Sequence, residues 1–343
     1  MSDKVIFDTN TARSESSIDE FLGNRAELSR FSQVAELIFP DMVIEEIKNQ
    51  KRKNLMKGKD WFIKNAFHRL LWLSEETTSS FDIEAYIHKL QDDEPIVYSQ
   101  ITLTNNNVLS QMKELAIWNK APFEENSDKW FKDAYIYFTV LEYLGAIDDA
   151  CVYFVTKDDR LKETFQNNER VRVVENFDGF QKYRISYFQE NYFLEEFETR
   201  IEWKITADDI KDVWTNINGN RVVKITSEWP TFLVEVDFST KEIIDHTMED
   251  FVTDKEDLAD AVTHLISSWS FDATDFYVDC LQPYVPYFTD QQIIDLIEAS
   301  ATNNQIYRVA EKDALKAFFK PLFEYKKNVL SEDIRTNFIH YFK

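Results

Sequence analysis

The chain has 343 residues, 44% of them apolar and 29% charged, with a net charge of −23. That length accommodates two cores, and the composition excludes a disordered chain and a disulfide scaffold. So acidic a protein does not coat nucleic acid through its overall field, although one local basic approach stays open. Apolar stretches fall well short of a membrane span and the start MSDKVIFDTN lacks a signal-peptide layout, so a cytoplasmic protein without membrane association is expected. Cys151 and Cys280 fit no metal or redox motif and are expected as buried free thiols. The five histidines are scattered, and five glycines leave little material for a phosphate-cradling loop.

The first half reads as strands alternating with helices, the pattern of a parallel sheet covered by helices. Val5-Ile6-Phe7 predicts a short strand, followed directly by Asp8-Thr9-Asn10. Ser17 with Glu20 predicts a capping box opening a helix over 17–30. Ala35 to Phe39 predicts a second strand stopped by Pro40, with Asp41 as cap of the next helix. Residues 60–117 read as a helical insertion and 103–128 as containing a loop. A helix is predicted over 130–144, ending at Gly145. A strand at 151–155, a helix at 161–165 and a strand at 171–174 follow. Further on, strands are predicted at 201–205, 221–225 and, half-buried on period two, through Phe232, Val234, Val236 and Phe238. Helices are predicted at 254–267, 290–301 and 309–325, two of them opened by Thr253 with Glu256 and Thr289 with Gln292. We expect one domain over residues 1–185 with a helical insertion at about 60–125, and an α+β accessory domain over 195–343.

Four acids carry the chemistry. Asp8 and Asp158 each follow a strand, where open parallel sheets bind ligands. Asp133 shares a helix face with Tyr137, Val140 and Leu144, which turns its carboxylate toward the sheet, and an unpaired buried carboxylate draws a cation. Glu46 lies near the exit of the second strand, whereas Glu45 faces elsewhere. Converging carboxylates without histidine or cysteine suit a hard ion such as Mg2+. Thr9, Asn10 and Thr156 are placed to donate to these carboxylates or orient them. A plainer account is also open: Asp8 and Asp158 as helix caps, Asp159 capping 160–166, and Asp133 met by Lys132 or Lys129.

VIFDTN at 5–10, FPDMVIEEI at 39–47, WFKDAYIYFTVLEYL at 130–144 and FVTKDDRL at 154–161 resemble, in order, the four motifs of PIN-domain nucleases, nearest to a large bacterial PIN-like branch with an additional C-terminal domain. The resemblance implies a three-layer α/β fold with a mainly parallel central sheet. It also implies Asp8, Glu46, Asp133 and Asp158 as catalytic, metal-holding residues, Mg2+ or Mn2+ as cofactor, and endonuclease cleavage of RNA that leaves a 5′-phosphate. Some members of that branch act in antiviral defence, and a toxin-like role is similar in kind. The insertion and the C-terminal domain depart from the small toxin-like members.

Between Lys48 and Arg69 eight basic residues face one acid, Asp60. Lys48, Lys51, Arg52 and Lys53, with Lys129, Lys132 and Lys157 beside the other motifs, are expected as the nucleic-acid approach. The alternative is a solvated helix face. The functional expectation is thus a metal-dependent endoribonuclease. The alternatives are a catalytically inactive PIN-like scaffold that binds RNA or protein, and a structure-specific DNA nuclease. A haloacid-dehalogenase-type phosphohydrolase is disfavoured because Asn10 stands where its second aspartate belongs. The C-terminal domain is expected to meet a protein inhibitor or a second copy.

Overall fold

The structure is a computed structural model that describes residues 3–13, 18–105, 107–118, 123, 131–147 and 151–343. The chain divides into two compact units, Asp3–Phe180 and Gln181–Lys343. Each has its own sheet and its own apolar cores.

The first unit is built on a parallel sheet of β1 (Asp3–Phe7), β2 (Ala35–Pro40), β3 (Ser99–Ile101), β4 (Val152–Val155) and β5 (Val171–Val174), in the spatial order β3-β2-β1-β4-β5. Helices flank this sheet, giving the expected α/β three-layer arrangement. Val5, Ile6 and Phe7 of β1 are all buried, as a central strand covered on both faces requires. Phe7 stacks on Phe39 at 5.2 Å and meets the edge of Phe31 at 5.1 Å, and Phe31 continues into Phe177 and Phe180.

Several local expectations change. The first long helix is Arg25–Val34, not 17–30, and Glu20 precedes it; Ser17 lies outside the described residues. Asn24 stands at its N-cap in the left-handed region, without a side-chain cap bond. Asp41 is the first helical residue rather than the cap, a position held by Pro40. The helix it opens runs 24 residues, Asp41–Lys64, and buries Val43, Ile44, Ile47, Lys51 and Leu55 along one side. The insertion after it contains short helices at Ala66–Leu70, Glu75–Ser79, Ile83–Asp92 and Val108–Ile117. It also contains β3, which the helical reading of 60–117 missed. Three residues are too few to show a period of two, and β3 is fixed by pairing with β2 rather than by its own pattern. The helix Phe131–Ala146 passes through Gly145, for which a Cβ would meet open space.

The second unit pairs β6 (Ile210–Thr215), β7 (Arg221–Thr226), β8 (Thr231–Val236) and β9 (Ile243–Met248) in an antiparallel sheet, with helices at Leu258–Ile266, Phe271–Leu281, Asp290–Thr302, Asp313–Lys326 and Glu332–Tyr341. This is the smaller α+β body. Residues 201–205 form no strand, because the helix Asn191–Ile201 runs up to them, and β6 follows unforeseen. Asn218-Gly219 turns between β6 and β7, with Gly219 at φ 82°. β8 is buried on both faces rather than one, since Leu233 packs into the helical core while Phe232, Val234 and Val236 pack into a second core. Glu235, buried with them, accepts from the side-chain amides of Asn216 and Asn220 at 2.6 and 2.8 Å. The first of the helices opens at Asp257 rather than at Thr253, while the Thr289–Gln292 capping box forms as expected. Cys151 is exposed and Cys280 half-buried, so neither is the buried thiol expected. Among the described residues no helix is long and apolar enough to cross a membrane.

Candidate functional site

From β1 the sheet grows outward to β2 and β3 on one side and to β4 and β5 on the other. The reversal opens a crevice beyond the carboxyl ends of β1 and β4, the place where such sheets bind ligands. Asp8 leaves β1 there and Asp158 follows β4. The Asp8 amide donates to the Val155 carbonyl at 3.0 Å, which extends the ladder one residue and fixes where the side chain starts.

Asp8 is buried, and its two oxygens have separate partners. Oδ1 accepts from the Thr9 amide at 2.7 Å and Oδ2 from the Thr156 hydroxyl at 3.0 Å. Thr156 Oγ1 in turn accepts from the Asp158 amide at 3.0 Å, so one hydroxyl links the turns after β1 and β4. Asp158 Oδ1 accepts from the amides of Arg160 and Leu161 at 2.9 and 3.2 Å. It therefore caps the helix Asp159–Phe165, a role that had been open to Asp159. Asp8 likewise caps the helical turn Thr9–Ala12. A cap and a member of the cluster are compatible here, because capping engages one carboxylate oxygen of Asp158.

Glu46 is half-buried on the second turn of Asp41–Lys64, while Glu45 beside it is exposed and paired with Lys48 at 3.0 Å. Thr9 Oγ1 donates to Glu46 Oε2 at 2.6 Å, and Lys132 forms an ion pair with Oε1. Lys132 thus meets Glu46, not Asp133. Asp133 lies half-buried on the first turn of Phe131–Ala146. Burial, followed by the charges of Asp158, Asp8 and Glu46, pushes its carboxyl up to about 7, with Arg160 acting the other way. Burial pushes Asp8 up to about 6 against the hydrogen bonds from Thr156 and Thr9, and Asp158 and Glu46 add repulsion. The charges of Asp158 and Glu46 therefore act on both Asp8 and Asp133, and that of Asp8 acts on Asp133.

The donor chemistry fits a hard cation: oxygen atoms only, with two carboxylates whose ionisation is opposed by burial and by their neighbours. Among the described residues, no three His, Cys, Asp or Glu side chains form a group that could hold a metal ion as they stand. Thr9, Thr156 and Lys132 hold the present rotamers of Asp8 and Glu46.

Thr9 and Thr156 hydrogen-bond to these acids, Thr9 to Asp8 and Glu46 and Thr156 to Asp8. Asn10 is exposed, and among the described residues it makes no hydrogen bond to the four acids. Two neighbours were not foreseen. Thr11 donates to the Asp8 carbonyl at 2.7 Å and steadies the turn from within. Arg160, two residues beyond Asp158, brings positive charge to Asp133, and its position in TKDDR was the available signal.

The basic stretch is only partly offered to solvent. Lys51 is buried, because it follows Ile47 and precedes Leu55 at helical spacing on the packed side; burial lowers its pKa, and Glu20, Asp19 and Glu94 face it. That placement removes it from any polyanion approach. Arg52 is engaged by Glu84 at 2.7 Å and Lys48 by Glu45. Lys53 and Lys157 are exposed, and Lys129 lies outside the described residues.

A family model described as a PIN domain matches residues 5–161. A PIN domain therefore spans residues 5–161 of this chain, and the remainder forms the separate α+β body. No curated protein and no solved structure matches the chain.

Proposed function

We propose that the PIN domain at residues 5–161 makes this chain a divalent-metal-dependent endoribonuclease that hydrolyses phosphodiester bonds with Mg2+ or Mn2+. One observation carries the reading. Near the ends of β1 and β4 burial first, and then the charges of neighbouring acids, raise the carboxyls of Asp8 and Asp133 to about 6 and about 7, which supports a cation-binding role for them.

Asp8, Glu46, Asp133 and Asp158 would hold the cation, which when bound supplies charge opposite the phosphoryl group and activates an attacking water. Thr156 and the Thr9 amide fix the Asp8 carboxylate from two sides, so its direction is set before any ligand arrives. Thr9 Oγ1 ties Glu46 to the same turn, which couples the helix Asp41–Lys64 to the end of β1. Lys132 neutralises Glu46 in the free protein and is a ready partner for a phosphate oxygen once Glu46 is otherwise engaged. Asp133, half protonated near pH 7, gives up that proton when positive charge is supplied beside it. The second unit, with Trp229, Phe251, Trp269 and Phe276 exposed, would supply the surface for a protein inhibitor or a second copy.

The test is cleavage of unstructured RNA and of DNA of the same sequence by purified protein, in chelator and in Mg2+ or Mn2+, beside Asp8→Asn and Asp133→Asn. Metal-dependent RNA cleavage lost in both variants is the expected result. The Lys132–Glu46 ion pair and the absence of a closed ligand group among the described residues favour a second reading, an inactive scaffold. RNA binding without cleavage under every metal condition would select it, and cleavage of DNA alone would reassign the substrate.

A further inference from the structure

The helix Asp41–Lys64 buries one side and leaves the opposite side to solvent. At about 100° per residue, Lys53, Lys57 and Lys64 fall within about 20° of Glu46 around the axis. All three lysines are exposed. Trp61 falls on the same stripe, about 60° round from Glu46 and about 22 Å further along the axis at 1.5 Å per residue. Asp60 is the one acid on this face between residues 49 and 64.

Toward and beyond the helix end, aromatic rings stand in solvent: Trp61 and Phe67 are each 65% exposed and Trp72 94%. Trp72 also sits at φ 55°, a left-handed backbone that bulky residues rarely adopt. In that conformation the Trp72 ring is presented to solvent, where it can meet a ligand.

We propose that this stripe is a binding track for single-stranded nucleic acid, with Lys53, Lys57 and Lys64 on successive phosphates and Trp61, Phe67 and Trp72 stacking on bases at its far end. The proposal rests on the nuclease reading and deepens it, since a strand seated on the track enters the carboxylate crevice beside Glu46. The charge pattern selects this occupant. Three lysines against one aspartate, in a chain of net charge −23, concentrate positive potential where a polyanion must dock. Lysine rows interleaved with aromatic faces are the physical means by which single strands are held without sequence preference. A second copy docked on the same face by a two-fold contact would bring like rows of lysine together, which repels. Exposed Leu70 and Leu71 beside Trp72 keep a protein partner as the competing outcome.

The experiment uses the full chain carrying Asp8→Asn, so that the strand is not cut. Fluorescein-labelled unstructured RNAs of 5 and 16 nucleotides are titrated by anisotropy across a salt series. We expect the 16-mer to bind at least tenfold more tightly than the 5-mer. Lys53→Gln/Lys57→Gln/Lys64→Gln should remove most of that difference and lower the salt slope by about 2, as expected for about three lost contacts to a single strand. Trp61→Ala/Trp72→Ala should weaken the 16-mer five- to twentyfold with the salt slope retained. All these side chains are exposed, so both variants should fold, and their melting curves check it. Equal affinity for the two lengths, or a lysine variant that binds like its parent with the same salt slope, overturns the proposal. A variant that changes oligomer size while RNA affinity holds also overturns it and assigns the face to protein. Failure here is separable from failure of the nuclease reading. A wild type that cuts RNA while the track variants bind normally sinks the track alone, and length-dependent binding without cleavage under any metal condition sinks catalysis alone.

Discussion

Asp133 offers the sharpest perturbation. Its carboxyl stands at about 7 in the fold against 3.8 in an unstructured chain, because burial and three other acids oppose its charge. A folded pKa above the unfolded one means that folding takes up a proton between those values. The associated stability is fully present below about pH 4 and is lost as pH rises to about 7. In full, that difference corresponds to about 4 kcal/mol. Asp133 is half-exposed, and solvent screening reduces the figure to about 1–2 kcal/mol. Asp133→Asn keeps the shape and removes the charge. In chelator at pH 8 the variant should therefore be more stable than wild type by about 1–2 kcal/mol, and the gap should close toward pH 4. A saturating divalent ion should reverse the order, since wild type gains about 2.7 kcal/mol at one hundred times its dissociation constant. Because the chain has two units, the measurement should be hydrogen exchange of the β1 and β4 amides at pH 5, 6.5 and 8, with and without Mg2+. An asparagine variant no more stable than wild type at pH 8 in chelator, or a gap indifferent to pH, would refute the reasoning.

Other substitutions probe separate links. Thr156→Val is nearly isosteric but leaves Asp8 Oδ2 and the Asp158 amide without their shared hydroxyl; a loss of about 1–3 kcal/mol is expected by urea unfolding, together with at least tenfold slower cleavage. Lys326→Met removes the ammonium 2.6 Å from buried Asp290 and leaves it the Tyr325 hydroxyl and the charge of Arg184, and should cost about 1.5–3 kcal/mol in melting of the second unit. Glu235→Ala removes the oxygen shared by the Asn216 and Asn220 amides and should destabilise the β6–β7 turn by about 1–3 kcal/mol, read as faster hydrogen exchange there.

Much of the first unit was legible because each motif has a local cause. Three apolar residues before Asp8 and four before the turn to Asp158 can only be short buried strands, and acids that follow such strands reach the open end of the sheet. The helical spacing that set Asp133 on an apolar face agrees with its partial burial, and the charges of Asp158, Asp8 and Glu46 act on its carboxyl. What stayed hidden depended on partners. β3 shows itself only through pairing with β2, and the full burial of β8 depends on a second core that no period-two count can see. Lys51 looked like a polyanion contact because charge was counted along the chain, whereas the packed side of its helix runs through Ile47, Lys51 and Leu55. The Glu46–Lys132 pair joins residues 86 apart, a separation over which spacing carries no information.

The link from Thr156 to Asp8 spans 148 positions, and it has a consequence for how the protein is made. While the ribosome is still extending the chain, β1 has β2 beside it but its other edge stays open until β4 emerges. At 5–20 residues per second that delay is on the order of ten seconds. Throughout it, Asp8 lacks the hydroxyl that aims it and Asp158 does not yet exist. The nascent polypeptide therefore lacks the link between the turns after β1 and β4 until both strand ends have been made.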